Sequence, residues 1–228
     1  MWKRIRNVFF RIIIYFLGLS IFSVILFRFL PIPITPLMII RCIEQKSAGK
    51  EMKLSKNWKS LDQISPVMPL AVMAAEDQNF EDHFGFDLEA IKKAESYNKR
   101  HQGKRLKGAS TITQQTAKNV FLWPSRSWIR KGVEVYFTFL IEIFWSKKRI
   151  MEVYLNVIET GQGIYGVEAA SAVYFHKSAS KLNIYEAARL AAILPDPRNW
   201  DPLHPSSRVA RKTQRIVRYM GQLRTENF

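Results

Sequence analysis

Residues 12–27 read IIIYFLGLSIFSVILF, sixteen residues without a charge, and no other stretch limits so strictly what the chain can fold into. Extended to Leu30, the run is roughly 28 Å long as a helix, enough to span a bilayer core of about 30 Å. A transmembrane helix is therefore expected over residues 12–30. Residues 1–11 carry Lys3, Arg4, Arg6 and Arg11 and no acid. A basic flank before the span puts the N-terminus in the cytoplasm and everything after about residue 30 on the other side. Arg28 sits near the outer end, where its long stem can snorkel to the headgroups. A cleaved signal peptide is the competing reading. The apolar run is longer than an ordinary signal core, and PIPITP follows it where a small-x-small cleavage site would stand, so the span reads as an uncleaved anchor.

The anchor also decides what the charge means. The chain carries a formal net charge of +16, and on charge alone nucleic acid and an anionic membrane surface are equal candidates. A basic domain on the outer side meets little nucleic acid, whereas lipid phosphates lie beside it. Nucleic acid is therefore not expected as a partner, and the membrane is. The single cysteine, Cys42, rules out an internal disulfide framework.

Beyond the span, Pro31–Ile40 is apolar and proline-rich and reads as a linker or an interfacial segment. Residues 41–64 are mixed and polar, so residues 31–64 together form a membrane-proximal connection. From residue 65 to 228 the readable elements are helical, and the fold class is mainly α. Ser65-Pro66 signals a helix start, with the serine as N-cap and the proline in the first turn. Residues 94–108 are basic and poor in apolar side chains, which predicts a loop or flap. Apolar spacing predicts helices over 128–145, 147–157, 181–194 and 208–223.

Four constellations carry candidate chemistry. The first, EDQNFEDHFGFD, follows an apolar helix directly and opens on Glu76. A carboxylate at the end of such a helix is expected to lose part of its hydration, which suits it to proton transfer. It also sits where the helix dipole disfavours an acid. A solvated terminal carboxylate is the alternative, and the pattern leaves both open. His83 reads more readily as a hydrogen-bonding scaffold residue than as a catalytic one.

The second is GASTITQQTAKN, residues 108–119. Small residues lead into a helix start with hydroxyls and free N–H groups, an arrangement suited to anions such as pyrophosphate. Thr111, Gln115 and Lys118 are spaced to share one face, and Arg126 follows as a further clamp. An ordinary capped helix with a polar face explains the same residues. The third, Arg130-Lys131-Gly132-Val133-Glu134, is either a structural ion pair or a second carboxylate facing Glu76. The fourth runs from Lys147 to Asn156 and on to GIYGVEAA, with Glu152 and Asn156 among core positions. Most of it reads as scaffold.

Taken together, these segments resemble the family 51 glycosyltransferases, the peptidoglycan polymerases. EDQNFEDHFGFD is similar to the motif E-D-x-x-F-x-x-H-x-G, GASTITQQ to G-x-S-T-[IL]-T-Q-Q, and RKGVE to R-K-x-x-E. KKRIMEVYLN is similar to K-x-x-I-x-E-x-Y-L-N, and RLAAILPDPRNWDP resembles the fifth motif. The resemblance covers residues 76–202 in order. It implies a lysozyme-like glycosyltransferase fold with a membrane-embedded lobe, on the periplasmic face of a bacterial cytoplasmic (inner) membrane. It implies a growing glycan on undecaprenyl pyrophosphate as donor and lipid II as acceptor. Glu76 would deprotonate the acceptor 4-hydroxyl, and the reaction would invert the anomeric centre. Ser110, Lys118 and Arg126 match phosphate-binding positions, with Thr111, Gln115 and Asp77 grouped in the same wall. Glu134 matches a second essential glutamate that organises the pyrophosphate side, with a divalent cation, Mg or Mn, as a conceivable helper. His83, Arg130, Lys131, Glu152 and Asn156 are expected in support, and cell-wall synthesis or division proteins as partners.

Two S-x-x-K matches, at Ser47–Lys50 and Ser178–Lys181, lack any K-T-G companion, so no transpeptidase activity is expected. A related-shape hydrolase would also use an acid–base glutamate but would not need a cationic clamp. A non-catalytic scaffold of the same fold is the other rival.

Overall fold

The computed structural model describes residues 2–101, 107–125, 127–223 and 228. Helix α1 (Trp2–Phe29) is continuous through the basic N-terminal residues and the apolar run, and it is long and apolar enough to cross a membrane. It is mostly exposed, but Ser20 and Val24 are buried against α6 (Trp128–Phe144). Phe16 packs on Tyr136 and Phe137, and Ser20 Oγ meets Tyr136 Oη at 2.7 Å.

The C-terminal end of α1 is tied into the body by side chains that bond backbone carbonyls at and just beyond the helix end. Trp145 Nε1 donates to Val24 O at 2.7 Å, and Arg149 donates to Phe27 O at 2.8 Å and to Leu30 O at 2.5 Å. The same guanidinium pairs with Glu152 and lies 5.3 Å from the Trp58 ring centroid.

The segment expected as a connection is built into the body. Pro36 in the first turn and Thr35 as N-cap start helix α2 (Pro36–Ser47). Strand β1 (Ser55–Lys56) pairs in parallel with β3 (Ile164–Tyr165), which pairs antiparallel with β2 (Glu159–Gly161). This small sheet is a minor addition to the mainly α fold expected from the sequence. Its strands are too short for a period-two pattern to show in the sequence.

Helix α3 (Val67–Glu76) is central. Met68, Val72 and Met73 are almost fully buried, each contributing about 1.5–3 kcal/mol. It packs on α9 (Ile184–Ile193) and α10 (Ser207–Met220). Ser65 does not cap it: Ser65 Oγ donates to Leu182 O at 2.9 Å, and Pro66 stands at the cap position. Opposite, α5 (Ile112–Phe121) packs on α6 and α7 (Lys147–Val157), while α8 (Val167–Phe175) closes the sheet side.

Residues 94–100 are helical, in α4 (Leu88–Arg100), against the loop expectation. No residue of α4 is buried. It is held by the Asp87 cap on Ala90 N and by Glu89–Lys93 and Glu95–Lys99 pairs at i,i+4, so the composition that suggested a loop supplies local helix contacts instead.

Candidate active site

Glu76 ends α3, and helix α5 starts directly beside it. That junction is held from behind. Asp77 is buried, accepts from Ile112 N at 3.0 Å and bonds His83 Nε2 at 2.9 Å. A carboxylate at the α5 N-terminus meets free N–H groups and the positive end of the dipole. Thr111 caps α5 in a reciprocal box with Gln114, and Thr111 Oγ1 donates to Gly85 O at 2.7 Å. Gly85 has φ +75°, and a Cβ there would stand 2.9 Å from Thr138 Cγ2. Behind it, Glu142 accepts from Thr113 Oγ1 at 2.6 Å and pairs with Lys147 at 2.9 Å. The first motif is thus a clamp between two helices.

The Glu76 carboxylate is half-buried and engaged on both oxygens. Gln115 Nε2 donates to Oε2 at 3.1 Å, and Lys212 Nζ from α10 donates to Oε1 at 3.3 Å. Gln115 is oriented in turn by the fully buried Tyr154, whose hydroxyl donates to Gln115 Oε1 at 3.1 Å. Burial holds that phenol well above its ordinary range, with the Glu76 and Asp77 charges adding to the effect, so it stays a donor.

Two cavities meet at Gln115 and Pro195. The first, about 670 Å³, is lined by Glu76, Ser110, Gln115, Lys93, Lys212 and Arg215 among others. The second, about 500 Å³, runs along α5 and includes Gln115, Lys118, Asn119 and Arg130. Lys118 opens to this cleft, yet the surrounding protein strips enough water to pull its ammonium below the ordinary lysine range, with Glu134 acting the other way. Lys212 is lowered in the same sense by burial, against the pull of Glu76.

Glu134 is buried and does not reach either cavity wall. Its two oxygens meet Arg130 Nη1 and Lys131 Nζ, both at 2.5 Å. The i,i+4 ion pair is formed, and Glu134 does not line the cavity that holds Glu76. Among the described residues, no group of three or more His, Cys, Asp or Glu side chains is placed to hold a metal ion.

The structure thus brings Glu76, Ser110, Gln115, Lys118 and Arg130 around one cleft, with Glu134 and Lys131 behind it. The side-chain oxygens of Thr111 and Asp77 are committed to the scaffold, and His83 serves Asp77. Glu152 and Asn156 lie elsewhere. Glu152 accepts from Leu61 N at 3.0 Å, and Asn156 bonds both the N–H and the C=O of Lys59, so they fasten the residue 59–61 segment to α7. Arg126 lies outside the described residues. Lys212 was legible only as one cation in a basic stripe. Its signal was position: it lies three residues from Val209 and four from Ile216, both buried, so it borders the apolar face of α10.

A family described as Transglycosylase matches residues 44–221. A biosynthetic peptidoglycan transglycosylase of Bdellovibrio bacteriovorus is 52% identical over 216 residues, covering 95% of this chain and 86% of the relative. One from Caulobacter vibrioides is 49% identical over 226 residues, covering 99% and 95%. One from Mannheimia succiniciproducens is 52% identical over 218 residues, covering 93% and 87%. The chain belongs to the transglycosylase family, and it is a glycosyltransferase.

Proposed function

We propose that this transglycosylase polymerises peptidoglycan glycan strands, transferring a lipid-pyrophosphate-linked glycan to the 4-hydroxyl of lipid II, with Glu76 as general base. The observation that carries this reading is the position of the Glu76 carboxylate. It stands where an open cavity meets a second cavity walled by Lys118 and Arg130. An acceptor hydroxyl in the first cavity gives its proton to Glu76, and its oxygen attacks the anomeric carbon of the donor. The bond from that carbon to the pyrophosphate oxygen breaks on the opposite face, so the centre inverts. The pyrophosphate leaves as an anion and meets fixed positive charge from Lys118 and Arg130, which need no reorganisation as the charge develops.

Glu134 acts by holding Arg130 and Lys131 in place through two short ion pairs. Its oxygens are already taken by cations, and among the described residues no group of three His, Cys, Asp or Glu side chains is placed to hold a metal, so the donor set does not fit a protein-held divalent ion. No step is routed through one.

The anchor reading has support from packing. Ser20 and Val24 are buried in the same core as α6, and Arg149 and Trp145 bond the α1 carbonyls. Removing α1 by cleavage would strip those partners from the body. We place the N-terminus in the cytoplasm and the cleft on the outer face of the bacterial cytoplasmic membrane, next to lipid-borne substrate. The chain has no transpeptidase activity in this reading.

The test is incubation of the full chain in detergent with lipid II. Polymer is expected, and Glu76→Gln should abolish it while retaining lipid II binding. Cleavage of preformed strands without polymer formation, or normal polymerisation by the glutamine variant, would overturn the assignment.

A further inference from the structure

Helix α10 carries charge that the chemistry above leaves unused. Its 14 residues include Arg208, Arg211, Lys212, Arg215 and Arg218 and no acid. Lys212 pairs with Glu76, and Arg208 lies 5.2 Å from the Trp200 ring centroid. Among the described residues, Arg211, Arg215 and Arg218 are exposed and have no acidic partner. Spacings of three, four and three residues put the four arginines on one stripe over about 15 Å, turned away from the buried Val209, Thr213, Ile216 and Met220.

Local helix energetics oppose this arrangement. Like charges three or four residues apart repel, and Arg208 in the first turn faces the positive end of the dipole. The exposed helix α4 shows the ordinary alternative, with lysines paired to glutamates at i,i+4. A stripe left unpaired is the form of a surface that meets an anionic partner.

The place of the stripe selects that partner. Arg215 lines the same cavity as Glu76, the one that takes the acceptor hydroxyl. The acids of that cavity are committed elsewhere: Glu76 to Lys212 and Gln115, Asp77 to His83 and Ile112 N, and Asp87 to the α4 cap. None of them neutralises Arg215. Lipid II brings two anionic parts, a pyrophosphate and an acidic peptide. The pyrophosphate is tied by its lipid to the bilayer, on the side of the anchor. Helix α1 packs on α6, whereas α10 packs on α9 and α3, so the stripe is not on the helix that adjoins the anchor. An extended peptide of about five residues covers the length of the stripe.

We propose that Arg215, flanked by Arg211 and Arg218, holds the carboxylates of the acceptor's peptide, so that α10 selects acceptors by the charge of that peptide. This rests on the reading of the Glu76 cavity as the acceptor site. Guanidinium forks match carboxylates bidentately, and arginine keeps its charge across the working pH range.

The experiment uses the full chain in detergent and a radiolabelled lipid II donor without its own 4-hydroxyl, which can give its glycan but not accept one. Two acceptors are compared: lipid II with free peptide carboxylates, and lipid II with those carboxylates converted to amides. The readout is the ratio of kcat/KM, free over amidated. Wild type should favour the free acceptor about tenfold. Arg215→Gln should bring the ratio close to one, chiefly through KM, and Arg215→Lys should restore part of it. Arg211→Gln combined with Arg218→Gln should lower it less. A wild type indifferent to the amides would overturn the proposal. So would an unchanged ratio in Arg215→Gln; slowing of both acceptors alike would give the arginine to the pyrophosphate they share. An unchanged ratio with a lost rate advantage in phosphatidylglycerol over phosphatidylcholine vesicles would give the stripe to lipid headgroups and likewise overturn it. Failure of wild type to use either acceptor would instead sink the polymerase reading.

Discussion

Lys212 Nζ lies 3.3 Å from Glu76 Oε1, although the two residues are 136 positions apart. The last long helix of the fold thus supplies a cation to the carboxylate that ends the central one. Both side chains are only 15% exposed, so water does little to screen the pair. Among the described residues, removing Lys212 leaves Glu76 with Gln115 as its one hydrogen-bond donor and free to change rotamer. Lys212→Met should therefore lower polymerisation about tenfold to a hundredfold. Lys212→Arg should recover most of the loss in kcat, whereas a purely structural lysine would show its effect in the unfolding midpoint instead.

The pH dependence follows from two lysines. Lys118 and Lys212 both lie below the ordinary lysine range because burial disfavours their charged forms. In the proposed mechanism Lys118 faces the leaving pyrophosphate and Lys212 holds Glu76, so the rate should fall as pH rises through these lowered values, before an ordinary lysine would titrate. Arginine stays charged across that range. Lys118→Arg should move the alkaline limb of the rate profile upward, even if the maximal rate drops. An alkaline limb that stays in place would show that another group sets it.

Gly85→Ala should destabilise the fold by about 1–3 kcal/mol. The position has φ +75°, and the new Cβ would meet Thr138 Cγ2 at 2.9 Å and Glu142 Cγ at 3.0 Å. Since Gly85 O accepts from Thr111, the shift should also loosen the start of α5. Urea unfolding checks the first effect. Hydrogen exchange at Ile112 and Gln114 checks the second.

Arg149→Ala should loosen the C-terminal end of α1 from the body. The change removes the donors to Phe27 O and Leu30 O and leaves Glu152 without its cation. Bonds to charged groups of this kind are worth about 1.5–3 kcal/mol each, so a clear fall in the unfolding midpoint is expected. Limited proteolysis should then cut near residues 30–35 faster than in wild type. Unchanged cleavage would mean that α1 is held elsewhere.

What was legible in the sequence is what depends on local spacing. The apolar run of α1 shows by its unbroken length, and the helices α6, α7, α9 and α10 appear because burial of one face leaves a helical period in the chain. The same reasoning misplaced local signals that tertiary contacts redirected. Ser65 looked like a cap but serves Leu182 O. The apolar stripe of α4, Leu88, Ile91 and Ala94, is narrow and lost in a basic run, and the short strands of the sheet leave no period at all.

By itself, the sequence determined a chain with one span-length apolar helix, a mainly helical body and a set of motifs that name a carboxylate and its cationic neighbours. It could do so because hydrophobic spacing, caps and motif residues are all short-range. Only the tertiary structure decided which of those groups meet. Glu76 finds Lys212 because α3 packs on α10, and Arg41 shares a cavity with Lys118 because α2 packs on α5. The same packing turns Thr111 and Asp77 inward and carries Glu152 and Asn156 to another face. A site assembled from helices far apart in sequence is fixed by how their buried faces pack together, and that packing leaves no local mark on the chain.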